Sequence, residues 1–255
     1  MKETHDQLKQ NIPTCNILGV NIAAVNMSQV LSFTHEHIKE LSGDYICVAN
    51  VHTTVTAYND SSYLAVQNNA IMALPDGGPL SSVGRKRGYS GMERVTGPSY
   101  MEEILESSSQ YGYRHFFYGS SKETTDLMIQ NIKEKYTDVN IVGVYNPPFR
   151  PLTEEEDTAV IQMITDAQPD FVWVGLGAPK QEIWMAEHQY KIPGLMVGVG
   201  AAFDYLAGNI NRAPEWMQKA NLEWFYRLCQ DPKRLFKRYF VTNTSFIWNA
   251  VIRGK

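Results

Sequence analysis

Short apolar runs that end in glycine or polar turns, each followed by a longer amphipathic stretch, recur along this 255-residue chain. "DYICVANVHTT", "AIMALPDG", "YRHFFYGSS", "VNIVGVYNPPF", "PDFVWVGLGAPKQE" and "GLMVGVGAAFDYL" read as strands, several of them buried. Between them, "TVTAYNDSSYLAVQNN", "SYMEEILESSSQYG", "KETTDLMIQNIKEKY", "TEEEDTAVIQMITDA" and "QEIWMAEHQYK" carry helical spacing. Gly112 is a C-terminal stop, and Thr153 an N-cap followed by acids in the first turn. Nearer the start, "NILGVNIAAV" reads as a strand pair turning around Gly19 to Asn21, and "MSQVLSFTHEHIKEL" as an amphipathic helix ended by Ser42-Gly43. Strand, turn and helix in repeated order build an α/β fold: an open, mostly parallel sheet with helices on both faces.

The last forty residues break this rhythm. They are helical, aromatic and basic, with Pro232 expected to kink or interrupt them. From position 219 onward there are eight Lys and Arg against two Asp and Glu, although the whole chain carries a net charge of −4. An acidic body with a basic tail divides the chain into a core of residues 1–218 and a helical appendage of residues 219–255. Such a tail suits an anionic partner, while a solvated helical face is the ordinary alternative. The acidic body argues against nucleic acid. Cys15, Cys47 and Cys229 lack metal-ligand or redox spacing, so a reducing, cytoplasmic setting is expected. The polar start has no signal-peptide apolar region, and no run of about 18 apolar residues offers a membrane span.

In sheets of this kind ligands bind beyond the carboxyl ends of the strands. Four turns fall there: "NVHT" with Asn50 and His52, "PDGG" with Asp76, "GLGAPKQE" and "GVGAAFD". In "GLGAPKQE" Lys180 stands where a dinucleotide fingerprint has its third glycine. The turn still offers backbone N–H groups at Gly175 and Gly177 to a phosphate, and Gln181 and Glu182 could bond sugar hydroxyls. It is equally readable as an ordinary strand-to-helix turn. Gly198 and Gly200 permit close approach of a ligand and Asp204 could accept from a ribose; the same residues could serve packing and a helix cap. Asp76 could be a plain Asp-Gly turn residue, or a general base held at a strand end. Outside His52, the histidines read as structural or surface groups. No Cys/His cluster suggests zinc, and no acidic pair suggests a metal-held nucleotide sugar.

In the tail, Arg227, Arg234 and Arg238 are spaced by seven and four residues, close to one helix face if the Pro232 kink is mild. Trp224, Phe225, Tyr226, Leu228, Leu235, Phe236, Tyr239 and Phe240 supply an apolar, interfacial surface beside them. Arginine and aromatics together suit an element lying on a membrane near lipid phosphate; the alternative is a helix packed on the body.

"ERVTG" (93–97) after the "PDG" turn, "GLGAPKQE", "GVGAAFD" and "AGNINRAPEWMQKANLEWFYRLCQDPKRLFKRY" together resemble the WecG/TagA/CpsF glycosyltransferases, family GT26, from about Asn16 to Tyr239. The resemblance implies a Rossmann-like core and an inverting transferase that needs no metal and no cofactor. It implies a UDP-sugar donor and an undecaprenyl-diphosphate-linked sugar as acceptor, in bacterial surface-polysaccharide synthesis. The donor sugar would be of the N-acetylmannosamine type, a uronic acid or another hexose.

By motif, Asp76 matches the general base, Asn50 an active-site polar position and Arg94 a basic residue near the leaving diphosphate. Gln181 and Asp204 match substrate-contacting positions. Arg227 and Arg234 match arginines that grip the lipid-linked diphosphate, with Lys237 and Arg238 competing for a third such place. The resemblance places the enzyme on the inner face of the plasma membrane, peripheral and able to form homo-oligomers. Gly78-Pro79 departs from the family's more usual DGxG turn and looks closer to capsule and exopolysaccharide members. Two rivals remain at this point. A nucleotide-binding oxidoreductase lacks its glycine fingerprint after the first strand. A regulatory or scaffold protein would bind UDP-sugar without turnover.

Overall fold

The first strands form where β-branched and apolar residues cluster between turns. Thr14–Ile17 (β1) and Val20–Ala23 (β2) pair antiparallel across Leu18-Gly19, both with positive φ. The hairpin turn therefore lies slightly before the expected Gly19 to Asn21. The computed structural model describes residues 2–254, apart from the side chains of Lys219, Arg234, Lys237 and Arg238. Ahead of β1 lies a helix that the polar start did not announce, Lys2–Gln10 (α1), which buries His5. Met27–His37 (α2) follows, capped by Asn26 in a reciprocal bond with Gln29.

Tyr45–Ala49 (β3) shows why the central strands are apolar throughout. Ile46 and Val48 join one core while Tyr45, Cys47 and Ala49 join the other, because alternate residues face opposite sides of the sheet. Asn50 is not a turn residue but the N-cap of Val51–Asn59 (α3). Asp60 closes that helix and caps Ser61–Asn69 (α4), splitting what the spacing presents as a single helix. Met72–Pro75 (β4) leads into a helix missed in the sequence, Gly78–Lys86 (α5). Pro79 sits in its first turn, where a fixed φ and a missing N–H cost nothing. This is the structural role of the Gly-Pro departure.

The remaining units alternate as expected. Gly97–Tyr111 (α6) ends at left-handed Gly112, then come Arg114–Gly119 (β5), Lys122–Lys135 (α7) and Asn140–Tyr145 (β6). Glu154–Ala167 (α8) starts at Thr153 with a capping box to Glu156, before Phe171–Gly175 (β7) and Lys180–Glu187 (α9). Leu195–Gly198 (β8) is shorter than its apolar run, because Ala202–Ala207 (α10) takes the second half. The tail forms Glu215–Lys219 (α11), Glu223–Gln230 (α12) and Pro232–Phe246 (α13), extended by a π-helical turn at Ile247–Ile252.

The eight strands lie in the order β1-β2-β4-β3-β8-β7-β5-β6, all parallel except the β1–β2 hairpin. This is an α/β, Rossmann-like fold. Helices α2, α6, α7 and α10 cover one face through Val30, Tyr100, Met128 and Phe203. Helices α3, α4, α5, α8 and α9 cover the other, joined there by Phe246 and Ala250 of the tail. β4 lies on one side of β3 while β8 reaches it from the other, so the strand order changes direction there. The crevice that such a change opens lies over the carboxyl ends of β3, β4, β7 and β8.

Candidate active site

A cavity of about 990 Å³ occupies that crevice. Asn50, His52, Asp76, Arg94, Asp204 and Arg227 line it together, so the four strand-end segments converge as the sequence pattern proposed, and the tail joins them. The glycines at 175, 177, 198 and 200 line it as well, with Lys180 and Gln181.

Asp76 is held by its neighbours in the sheet. Its N–H donates to Ala49 O at 2.9 Å and to Leu74 O at 3.0 Å, which ties the turn to the end of β3. Arg94 grips it from the other side: Nε donates to Asp76 O at 2.6 Å, and a terminal nitrogen lies 3.5 Å from the carboxylate. Burial pushes the Asp76 carboxyl above the usual aspartate range, and Glu223 adds to this, while Arg94, Arg227 and Arg212 oppose it. A carboxylate with a raised pKa at the wall of a cleft is suited to accept a proton.

Sequence reasoning missed Glu223. It lies in the first turn of α12, is 6% exposed, and accepts from an Arg94 terminal nitrogen at 2.6 Å. Its other oxygen is 3.8 Å from Arg212 Nε. Arg212 in turn reaches Glu102 at 3.1 Å and Ser99 Oγ at 2.6 Å. The only signal available was an acid standing in a strongly basic tail. Tyr205 was also missed: it lines the cavity, its buried hydroxyl has no partner among the described residues, and the Arg227 guanidinium lies 5.9 Å from its ring centre. Burial holds that hydroxyl's pKa up at about 12.

Asn50 spends its side-chain oxygen on the α3 cap, accepting from His52 N at 3.0 Å and Thr53 N at 3.2 Å. The "GLGAPKQE" turn is closed on itself rather than open. Gly177 N donates to Gln181 Oε1 at 3.1 Å, and Gln181 N donates back to Gly177 O at 3.1 Å. The expectation of a free Gly177 amide for a phosphate is therefore corrected.

Glu182 is corrected too. It is fully buried, its carboxylate accepting from Gln181 and Tyr63, and it does not line the cavity. Its side chain turns to Tyr63 of α4, while Lys180 and Gln181 line the cavity.

In the tail, a break at Asp231 puts Arg227 on a different helix from Arg234 and Arg238. The seven-residue spacing therefore does not place them on one helix face. The side chains of Arg234, Lys237 and Arg238 lie outside the described residues. Leu235, expected on the interfacial surface, is buried.

The model of the Glycosyl transferase WecG/TagA/CpsF family matches residues 15–255. The chain belongs to this family. It is similar to an N-acetylglucosaminyldiphosphoundecaprenol N-acetyl-beta-D-mannosaminyltransferase of Bacillus subtilis, at 30% identity over 82% of this chain and 80% of the relative. Relatives with the same name in Bacillus spizizenii and Staphylococcus aureus are 30% and 26% identical, over 78% and 89% of this chain and 76% and 89% of their own. The chain is a glycosyltransferase, and the cleft is where its sugar chemistry would be sought.

Proposed function

We propose that this transferase moves a sugar, with inversion, from a UDP-sugar to a hydroxyl of an undecaprenyl-diphosphate-linked sugar. Asp76 carries the proposal. It is a strand-end carboxylate raised in pKa by burial, on the wall of a 990 Å³ cavity, with arginine beside it. The acceptor class is supported by the relatives' name, which specifies N-acetylglucosaminyldiphosphoundecaprenol. The same name favours an N-acetylmannosamine-type donor sugar.

In this reading Asp76 takes the proton of the acceptor hydroxyl as its oxygen attacks the anomeric carbon. The bond from that carbon to the diphosphate breaks, and its electron pair leaves with UDP. Arg94 and Arg227 line the cavity and would stabilise the developing charge on the diphosphate, with no metal or other cofactor in the reaction. Gln181, Lys180, His52, Asp204 and the turn glycines would contact the donor. Residues 1–218 would form the catalytic core and 219–255 the membrane-facing appendage.

Among the described residues no helix is long and apolar enough to cross a membrane. Phe236, Phe240, Val241, Trp248 and Ile252 of the tail are each more than half exposed, which supports a peripheral seat on the inner face of the plasma membrane. The test is mass spectrometry of products from a panel of UDP-sugars with an undecaprenyl-diphosphate-linked N-acetylglucosamine acceptor, with and without chelator. Transfer by the wild type that disappears in Asp76→Asn supports the reading. UDP binding with no product from any pair would favour a regulatory or scaffold protein instead.

A further inference from the structure

Glu182 raises a question that the cleft does not answer: why a carboxylate is buried directly behind a binding turn. Two donors converge on it. Gln181 Nε2 donates to Oε1 at 2.8 Å, and the Tyr63 hydroxyl donates to Oε2 at 3.1 Å. Tyr63 accepts in turn from Gln67 Nε2 at 2.9 Å, one turn further along α4. At the other end, Gln181 Oε1 accepts from the Gly177 N–H at 3.1 Å. An unbroken hydrogen-bonded chain thus runs from α4, through the first turn of α9, into the turn after β7. All four side chains are at most 4% exposed.

The chemistry of the members fixes its direction. The two ends of a glutamine amide have nearly the same shape, one donating and one accepting. The Glu182 oxygen that faces the amide accepts from its NH₂ end, and the Gly177 N–H, which can only donate, takes the carbonyl end. The space around the amide is equally restrictive. A Cβ on Gly198 would lie 2.9 Å from Gln181 Nε2, and one on Gly200 would lie 3.6 Å from its Oε1. The amide fills the gap between the two glycine turns that line the cleft.

We propose that Glu182 is a positioning residue that, with Tyr63 and Gln67, locks the Gln181 amide in one orientation and thereby sets the shape of the glycine turn facing the donor. It acts through Gln181 and touches neither substrate nor reacting atoms. The kinetic half of the proposal rests on the sugar-transfer reading; the structural half does not.

The experiment uses the full chain with two variants. Tyr63→Phe removes one hydroxyl and keeps the ring. Glu182→Gln replaces the acceptor with a group that can also donate, so residue 182 no longer demands the NH₂ end of the Gln181 amide. Hydrogen exchange of the Gly177 amide, read by NMR on ¹⁵N-glycine-labelled protein, is expected to be slow in the wild type. It should quicken about 3- to 10-fold in Tyr63→Phe, the weakening that one lost hydrogen bond confers. KM for the UDP-sugar should rise by a similar factor, with kcat changed less than about two-fold.

Unchanged exchange at Gly177 in Tyr63→Phe overturns the lock, whether or not Glu182→Gln folds. Faster exchange with unaltered KM and kcat overturns its link to the donor. If the wild type transfers no sugar at all, the sugar-transfer reading fails, and the exchange result alone decides the lock.

Discussion

Two turns on the same edge of the sheet hold their polar groups by opposite means. Asp76, after β4, is gripped by charge in the cleft wall: Arg94 beside it, and Glu223 of the tail behind Arg94. Gln181, after β7, is gripped by hydrogen bonds from within the core. Charges at a half-open wall can be rearranged by an arriving diphosphate, because they trade one ionic partner for another. A buried hydrogen-bonded network is costly to rearrange, because a polar group displaced inside the core loses its partner. The first turn is built to respond to ligand, and the second to stay as it is.

The comparison breaks most completely at Asp76. Replacing it with asparagine should lower kcat by about 10²- to 10⁴-fold, the usual worth of a positioned base, and leave UDP affinity close to wild type, as measured by steady-state kinetics and calorimetry. The fold should not suffer. A folded pKa above the unfolded one gives stability that is present at low pH and lost as pH rises through the folded value. Above the folded value the ionised group therefore contributes none of it, and there Asp76→Asn should melt at or above the wild-type temperature.

Glu223→Ala comes next. It leaves Arg94 and Arg212 without this carboxylate, at a cost of about 1.5–3 kcal/mol in denaturant unfolding, and kcat/KM should fall because Arg94 loses the partner behind it. Limited proteolysis should find the tail cut faster than in wild type. On the opposite side, Gly198→Ala presses a methyl to 2.8 Å from Met185 Cε and 2.9 Å from the Gln181 amide. A loss of about 1–3 kcal/mol in thermal or denaturant unfolding is expected, with the Asp76 side untouched.

The smallest effect is the most discriminating. The acid limb of kcat/KM should lie above the ordinary aspartate range of about 3.9, because activity needs the ionised Asp76 and its pKa is raised. Glu223→Gln removes a negative neighbour, so the limb should move to lower pH; Tyr63→Phe should leave it where it is. A limb that moves in both variants would erase the distinction between the two turns.

The sheet was legible because its parallel strands are buried on both faces, which leaves apolar runs such as "DYICVA" and "FVWVG" that few other structures need. α5 was not, since "GPLSSVGRK" is rich in poor helix formers. Its helix rests on a favourable proline start and on burial of Leu80 and Val83. The α3–α4 break was hidden because Asp60 ends one helix and caps the next within an unbroken pattern.

In the cleft, strand-end residues could be located from position in the chain. Glu223 could not, since its partner Arg94 is 129 residues away and leaves no local trace. Glu182 was misplaced because nothing local in the sequence shows that Tyr63, 119 residues away, draws its carboxylate into the core.

Gly78 lies where the tail meets the body: a Cβ there would collide with the side chain of Asn221, itself held at positive φ just before α12. The missing side chain makes a keyhole, and Asn221 is the key. This sets a rule for exchanging parts between relatives: a foreign tail should seat on this body only if it brings a residue shaped for that hole. A body with a side chain at position 78 should take this tail only if Asn221 gives way.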